Sequence, residues 1–409
     1  MLSGLPMSVK ASISVAGHRC ETGSPLNQGH IPARDAIIVS RMRQAGAVVL
    51  GTTNCPEFLM AYETDNCLYG RTSNPWDLER TAGGSSGGES AAIAAGLSAA
   101  GFGSDSGGSV RVPAHFTGIC ALKPTPGRIP GDGHLPPCAG PFSLLGTIGP
   151  MARTIEDVSL LFRALSGPAD TDPIAAPVPL QQHSLEDLHQ VPIGFFEDDG
   201  LTSVTPETRQ AVRSAVASLR RQGFRVEPFR PCALEEARTL WWKIFVRGGT
   251  MLIDRMIAGQ RAMLSPILED FLSIAHAEAP LSGEELLSAW VDCDRVRGKL
   301  LTEMRQYPIL LMPVCSVPAF RHGEREWNIG GQTVAYLDAM RYTQWFNLLG
   351  GPAAVIPVGR SAENLPIGIQ IAGRPYQDEI VLGIAAVLEQ DFRYLPPPLA
   401  NQELRTASA

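Results

Sequence analysis

Two glycine- and serine-rich loops hold the residues whose types and spacing could do chemistry: Gly83-Gly84-Ser85-Ser86-Gly87-Gly88-Glu89-Ser90 and Gly103-Ser104-Asp105-Ser106-Gly107-Gly108-Ser109-Val110-Arg111. A serine set among glycines suits a nucleophile, because the backbone can approach an acyl carbon with no Cβ in the way. Flexible linkers are not embedded between apolar segments as these loops are. Phosphate binding fits poorly, since neither loop ends in the Lys-Ser/Thr pair of a P-loop. Gly101 and Gly103 also lack the third glycine of a dinucleotide fingerprint. Residues 83–87 do match G-x-S-x-G, the turn that displays a serine to a histidine base. That turn needs a preceding strand, and Asp77 to Ala82 does not read as one. It also needs a late histidine, for which His322 is the last candidate. A histidine-dependent α/β-hydrolase esterase is therefore a runner-up.

A lysine can serve as the base instead if burial lowers its pKa from ~10.4 toward the working range. Lys10, at the end of the strand-like Gly4-Leu5-Pro6-Met7-Ser8-Val9-Lys10, is the candidate. Lys123 is a rival in type only, because the proline after it suggests a structural turn. Asp105 and Arg111 flank the second loop and are expected to pair and brace it. Glu89 either joins the proton network or favours the N-terminus of the helix that follows.

The elements that must position these residues alternate between strand and helix. Arg34 to Ala45 reads as a helix and Ala47 to Leu50 as a buried strand; 91–100 reads as a small-residue helix, and Val110 to Leu122 as strand and loop. Residues 167–183 are Pro-rich and unperiodic, an extended connector. Val191 to Phe196 resembles a strand, Thr205 to Gln222 an amphipathic helix opening beside Pro206, and 233–306 is largely helical. Strands return at 309–312, 354–358 and 367–370. The alternation predicts an α/β fold: a single large domain with a mixed twisted sheet covered by helices on both faces. Its parts are a core over 1–165, a connector over 166–190 and the remainder over 191–400. The tail from Gln402 to Ala409 is expected to fray.

Bulk properties exclude several function classes. The 409 residues are 44% hydrophobic and 18% charged, against ~25% charged on average, so a sizeable core is expected rather than disorder. The net charge of −7 and the lack of a basic run argue against direct nucleic-acid binding. Eight scattered cysteines (20, 55, 67, 120, 138, 232, 293, 315) form no CxxC pair and no metal-ligand spacing. They read as reduced, buried residues of a cytoplasmic protein. No apolar run reaches the ~18 residues of a membrane span, and the first ten residues do not read as a signal peptide.

With these loops in hand, the chain resembles the amidase signature family of serine hydrolases. The resemblance rests on GLPMSVK (4–10), GGSSGGES (83–90), GSDSGGSVRVP (103–113), GICALKPTPGR (118–128), TIEDV (154–158), LLGGPAAVIPVG (348–359) and LPIGIQIAG (365–373). It implies Ser109 as nucleophile, Ser85 as a bridging serine in a cis peptide and Lys10 as base, with no metal or cofactor. It further implies an oxyanion hole built from the backbone N–H groups of Ser106, Gly107, Gly108 and Ser109. Leu59, Met60 and Ser86 would contact substrate. Two departures stand out: Ala11 follows the lysine where the family often has an acidic residue, and only nine residues precede Lys10. The implied activity is hydrolysis of a small carboxamide to acid plus ammonia or amine, through an acyl-enzyme. Phe58 to Tyr62, Leu240-Trp241-Trp242 and Phe245 lean toward an apolar or aromatic acyl group. The alternative is the A subunit of a glutamine-dependent tRNA amidotransferase, and a silent scaffold comes last. The partners implied are a small amide and, at most, a second copy of the chain as a homodimer.

Overall fold

The computed structural model describes residues 2–137 and 139–398. Cys138 and the C-terminal tail lie outside them. Among the described residues, ten strands join in one sheet: β1 (Pro6–Lys10), β2 (Val48–Thr53), β3 (Ala100–Asp105), β4 (Cys120–Lys123), β5 (Thr147–Ala152), β6 (Ile193–Phe195), β7 (Val226–Pro228), β8 (Ile309–Pro313), β9 (Ala353–Arg360) and β10 (Pro366–Gly373). Their spatial order is β2-β1-β3-β5-β4-β9-β10-β8-β6-β7. Neighbours are parallel within β2-β1-β3 and within β8-β6-β7. They are antiparallel in between, which makes the sheet mixed.

Around it lie α1 (Ile37–Gln44), α2 (Gly87–Ala94), α3 (Arg111–Thr117), α4 (Ile155–Leu165), α5 (Pro206–Arg221), α6 (Leu234–Trp241), α7 (Gly249–Met256), α8 (Pro266–Ala275), α9 (Gly283–Glu303), α10 (Arg341–Leu349) and α11 (Asp378–Glu389). Strand side chains alternate between two faces. Met7, Val9, Phe102, Leu122, Leu311, Ile356 and Ile369 enter one core with α1, α4, α5 and α11. Ala121, Met151 and Val355 enter a second with α2 and α3. Leu310, Met312 and Ala372 enter a third with α6, α9 and α10. Both faces are therefore covered, as the alternation of elements predicts. α5 shows why such a helix seats: Thr205 caps it by accepting from Thr208 N–H, Pro206 opens it, and Ala211, Val212, Ala215, Val216 and Leu219 are buried at helical spacing. Each buried Val or Leu contributes ~1.5–3 kcal/mol, so a charge at Val212 would unseat the helix.

The local expectations need five corrections. Residues 47–50, expected as a buried strand, run into β2 at the sheet edge, with Val48 and Leu50 exposed because among the described residues no strand lies beyond them. The small-residue helix runs over Gly87–Ala94, not 91–100, and Ala100 already begins β3. β1 on one side and β5 on the other draw residues 100–105 into the sheet, pairing that local propensity does not register. Arg111–Thr117 is a helix rather than strand and loop. Pro113 falls in its first turn, where no intrahelical N–H bond is due. Asp77–Thr81 is a strand after all, paired with Ser73–Asn74 in a ribbon apart from the main sheet. The connector has no helix or strand over 166–184, but Leu185–His189 forms a helix closed by a Ser184/Asp187 capping box.

The 233–306 region holds α6 to α9, with a π-helical stretch over Trp242–Gly248 between the first two. Cys67 and Cys232 are exposed, while Cys20, Cys55, Cys120, Cys293 and Cys315 are buried. Among the described residues no helix is long and apolar enough to cross a membrane.

Candidate active site

Lys10 arrives at the site through the pleat of β1. Met7 and Val9 point into one core, which sends Ser8 and Lys10 to the opposite face. The lysine is fully buried. Its Nζ donates to Ser85 Oγ at 2.6 Å and to Ser104 Oγ at 3.1 Å. Ser104 comes from β3, the parallel neighbour of β1. Ser85 follows a cis Gly84–Ser85 peptide bond. A Cβ at residue 84 would overlap the backbone of Ala61 and Glu63, so this approach is open only to glycine.

The second loop is braced from below by a buried ion pair. Arg111 grips Asp105 with two bonds, Nε to Oδ2 at 3.0 Å and Nη2 to Oδ1 at 2.9 Å, and neither side chain is exposed. Burial pushes the Asp105 pKa up, but Arg111, Asn347 and Lys123 outweigh it and hold the carboxyl well below the usual range. The expected pairing is therefore present, and it does more than pair. Asp105 also accepts the N–H groups of Gly108 at 2.8 Å and Val110 at 3.2 Å.

The loop carbonyls are held as well. Trp241 Nε1 donates to Ser106 O at 2.8 Å; Tyr62 Oη and Thr343 Oγ1 donate to Gly107 O at 2.8 and 2.6 Å. The N–H groups of Ser106, Gly107 and Ser109 meet no acceptor among the described residues.

These residues border a cavity of about 1200 Å³, counting its open mouth. Ser85, Ser104, Ser106, Gly107 and Ser109 form its polar side. Phe58, Leu59, Met60, Trp241, Trp242 and Phe245 are among its apolar walls. Leu59 and Met60, expected to contact substrate, line this cavity. Two expected contributors do not. Gly108 keeps its N–H for Asp105, so it offers no donor to the cavity. Ser86 is fully buried and does not border the cavity; its Oγ donates to Ser104 O at 3.4 Å and accepts from Ser104 N–H at 3.3 Å. The hydroxyl therefore ties the two loops together instead of meeting substrate. The Ser86 N–H adds a second tie, to Ser109 O at 3.1 Å. The Ser109 hydroxyl itself makes no hydrogen bond among the described residues.

Other titratable groups fall into supporting places. Glu89 is fully buried in the first turn of α2 and accepts from Thr53 Oγ1 at 2.7 Å and from the Ser8 hydroxyl. Burial pushes its pKa up to about 7. Lys123 does not border the cavity. Its Nζ donates to Pro124 O at 3.0 Å, and burial, helped by Arg111, lowers its pKa to about 7. His322 is also away from the cavity. The histidine that does reach it is His134, whose Nδ1 and Nε2 engage Pro136 O at 2.8 Å and Ser12 Oγ at 3.3 Å. Burial holds its pKa near 4, so it is neutral at ordinary pH. It bonds neither Ser85 nor Ser109, which removes the structural support for a histidine-based serine site.

The sequence alone assigned no role to Ser104, Thr343 or His134, and read Tyr62 only as part of an apolar run near the acyl group. Ser104 lies inside the second glycine–serine loop and Tyr62 ends the apolar run from Phe58, and alternation along β3 could have flagged Ser104. Nothing local marks Thr343, which arrives from α10.

Known proteins resemble this chain over almost its whole length. The Amidase family model matches residues 1–382. An indoleacetamide hydrolase of Bradyrhizobium diazoefficiens is 32% identical over 397 residues, covering 95% of this chain and 74% of that protein. The A subunit of the glutamyl-tRNA(Gln) amidotransferase of Methylacidiphilum infernorum is 32% identical, covering 97% and 84%. Among solved structures, a chain from a vestigial protein complex bearing on the origins of an s-triazine catabolic enzyme superposes with a TM-score of 0.86. It is 30% identical and is matched over 97% of this chain and 86% of that one.

Proposed function

This chain belongs to the amidase signature family of hydrolases acting on C–N bonds, and from that premise we propose that it cleaves a small carboxamide with an apolar or aromatic acyl group. Ser109 Oγ attacks the amide carbon and passes its proton to Ser85, which hands its own to neutral Lys10. The oxyanion that forms is met by the free N–H groups along 106–109, each such donor being worth ~2.7–4 kcal/mol in the barrier. The same relay returns a proton to the leaving nitrogen, releasing ammonia or amine and an acyl-enzyme. Water then attacks the acyl carbon, giving its proton to the same relay, which returns it to Ser109 as the acid leaves.

The observation that carries this reading is the 2.6 Å contact between buried Lys10 Nζ and Ser85 Oγ, made where a cavity also exposes Ser109. Aromatic walls support the acyl preference, and so does the relative named indoleacetamide hydrolase. The second reading, the glutamine-using component of a tRNA amidotransferase, draws on the relative of that name. Its weakness is the apolar wall, which gives a glutamine side chain few polar partners.

A panel of amides decides between them. Arylacetamides should be cleaved by the chain alone at least about 100-fold more efficiently than glutamine, roughly 2.7 kcal/mol of preference. Glutamine turnover equal to or above that of every arylacetamide would overturn the proposal.

A further inference from the structure

We propose that Trp241 is a positioning residue for the oxyanion loop, holding the Ser106–Gly107 peptide so that the Gly107 N–H stands ready for the developing negative charge. The inference rests on reading 106–109 as that loop.

Trp241 closes α6, far along the chain from the serine loops, and is 3% exposed. Its indole borders the substrate cavity and stacks on Phe245, with ring centroids 5.1 Å apart and planes 18° off parallel. The same ring donates Nε1–H to Ser106 O at 2.8 Å. The ring lies against Gly107 so closely that a Cβ there would stand 2.6 Å from Trp241 Cζ2 and 3.1 Å from Tyr62 Oη. Glycine at 107 is thus what lets the indole reach the carbonyl before it.

The Ser106–Gly107 bond is trans, and a trans peptide directs its C=O and N–H to opposite sides. Fixing Ser106 O on the indole therefore fixes the Gly107 N–H on the far side, where no protein acceptor takes it among the described residues. The next peptide shows the same logic completed. Its oxygen, Gly107 O, is held by Tyr62 and Thr343, and its N–H, on Gly108, is taken by Asp105. Two successive peptide planes are pinned at their oxygens. Each pin includes a cavity wall, Trp241 on the first peptide and Tyr62 on the second, but among the described residues only the first leaves its N–H untaken.

This places acyl recognition and charge stabilisation on one side chain. An acyl group that packs on the indole presses the ring that orients the donor, so a good aromatic fit acts on the transition state as well as on ground-state binding. The loss on removing the pin should be smaller than the ~100–1000-fold seen when an oxyanion donor itself is deleted, because the N–H remains and only its orientation loosens.

The experiment compares wild type with Trp241→Phe, which keeps an aromatic wall and loses the N–H. We expect kcat to fall about 10–100-fold, with KM for an arylacetamide within about threefold. The same kcat loss is expected with propionamide, which is too small to depend on the wall. Affinity for an aryl trifluoromethyl ketone, which presents an oxyanion when bound to a serine, should fall in step with kcat, while that for the product acid stays level. Replacing Trp241 with 3-benzothienylalanine, equal in size but without the donor, gives the same readouts if the Phe variant fails to fold.

A change confined to the arylacetamide KM, with propionamide kcat and ketone affinity unmoved, would overturn the inference and leave Trp241 a wall only. Labelling by a fluorophosphonate separates this from failure of the underlying reading. A wild type labelled at Ser109 but indifferent to loss of the indole N–H sinks the Trp241 role alone. A wild type not labelled at Ser109 sinks the oxyanion loop with it.

Discussion

Replacing Glu89 with Gln removes a titration that burial has displaced. The carboxyl is enclosed beside β1 and β2, and burial outweighs the hydroxyls of Ser8 and Thr53, so its pKa stands at about 7 against an ordinary 4.5. A folded pKa above the unfolded one means that the native state binds this proton more tightly. The resulting stability is fully present below about pH 4.5 and is lost as pH rises through about 7. At about 1.4 kcal/mol per pH unit, that interval amounts to roughly 3 kcal/mol. A glutamine in this place does not titrate, and its side-chain oxygen can serve only one of the two hydroxyl donors, a pH-independent cost of about 1 kcal/mol. The variant should therefore be slightly less stable than wild type at pH 4.5 and about 2 kcal/mol more stable at pH 8. Urea unfolding followed by tryptophan fluorescence, at half-unit pH steps between these limits, reads the difference directly. Parallel stability curves for the two proteins would refute the reasoning, since they would mean that Glu89 titrates alike folded and unfolded.

Other outcomes follow from the same contacts. Lys10→Met should lower kcat/KM by at least about 1000-fold with the fold retained by circular dichroism, because among the described residues no other base hydrogen-bonds Ser85. Arg111→Met leaves the Asp105 carboxylate buried without its cation, and should cost about 3–5 kcal/mol in urea unfolding. Gly107→Ala drives a Cβ into the Trp241 ring, and steady-state kinetics should show kcat falling more than KM rises. Met60→Glu sets a charge on an apolar wall and should raise KM for an arylacetamide well beyond its effect on propionamide KM.

Much of the site was legible because its residues sit in two short runs whose composition has few other uses. A lysine at the end of an apolar strand and serines between glycines already restrict the chemistry, and the sheet then needs only its pleat to turn Lys10 away from the core that holds Met7 and Val9. What was not legible depends on hydrogen-bond partners, near or far in sequence, that composition does not reveal. Gly108 looks like every other donor in its loop until Asp105 is seen to occupy its N–H. Ser86 looks like a substrate contact until its hydroxyl is found engaged with the Ser104 backbone. Asp77–Thr81 lacks an alternating apolar pattern because it pairs in an isolated ribbon instead of crossing a core. Arg111–Thr117 was obscured by Val110, Val112 and Pro113, although a proline in a first turn is no obstacle to a helix. The pins on Ser106 O and Gly107 O come from α6, α10 and the segment around Tyr62, and no local pattern announces them.

The central claim is that Ser109 is an activated nucleophile served by Lys10 through Ser85. Intact-mass analysis after exposure to a small fluorophosphonate tests it with no guess about substrate. The account predicts one adduct on wild type, mapped to Ser109, none on Ser109→Ala, and labelling of Lys10→Met slowed by at least about 100-fold. Equal labelling of Ser109→Ala and wild type, or full amide turnover by Ser109→Ala, would contradict it.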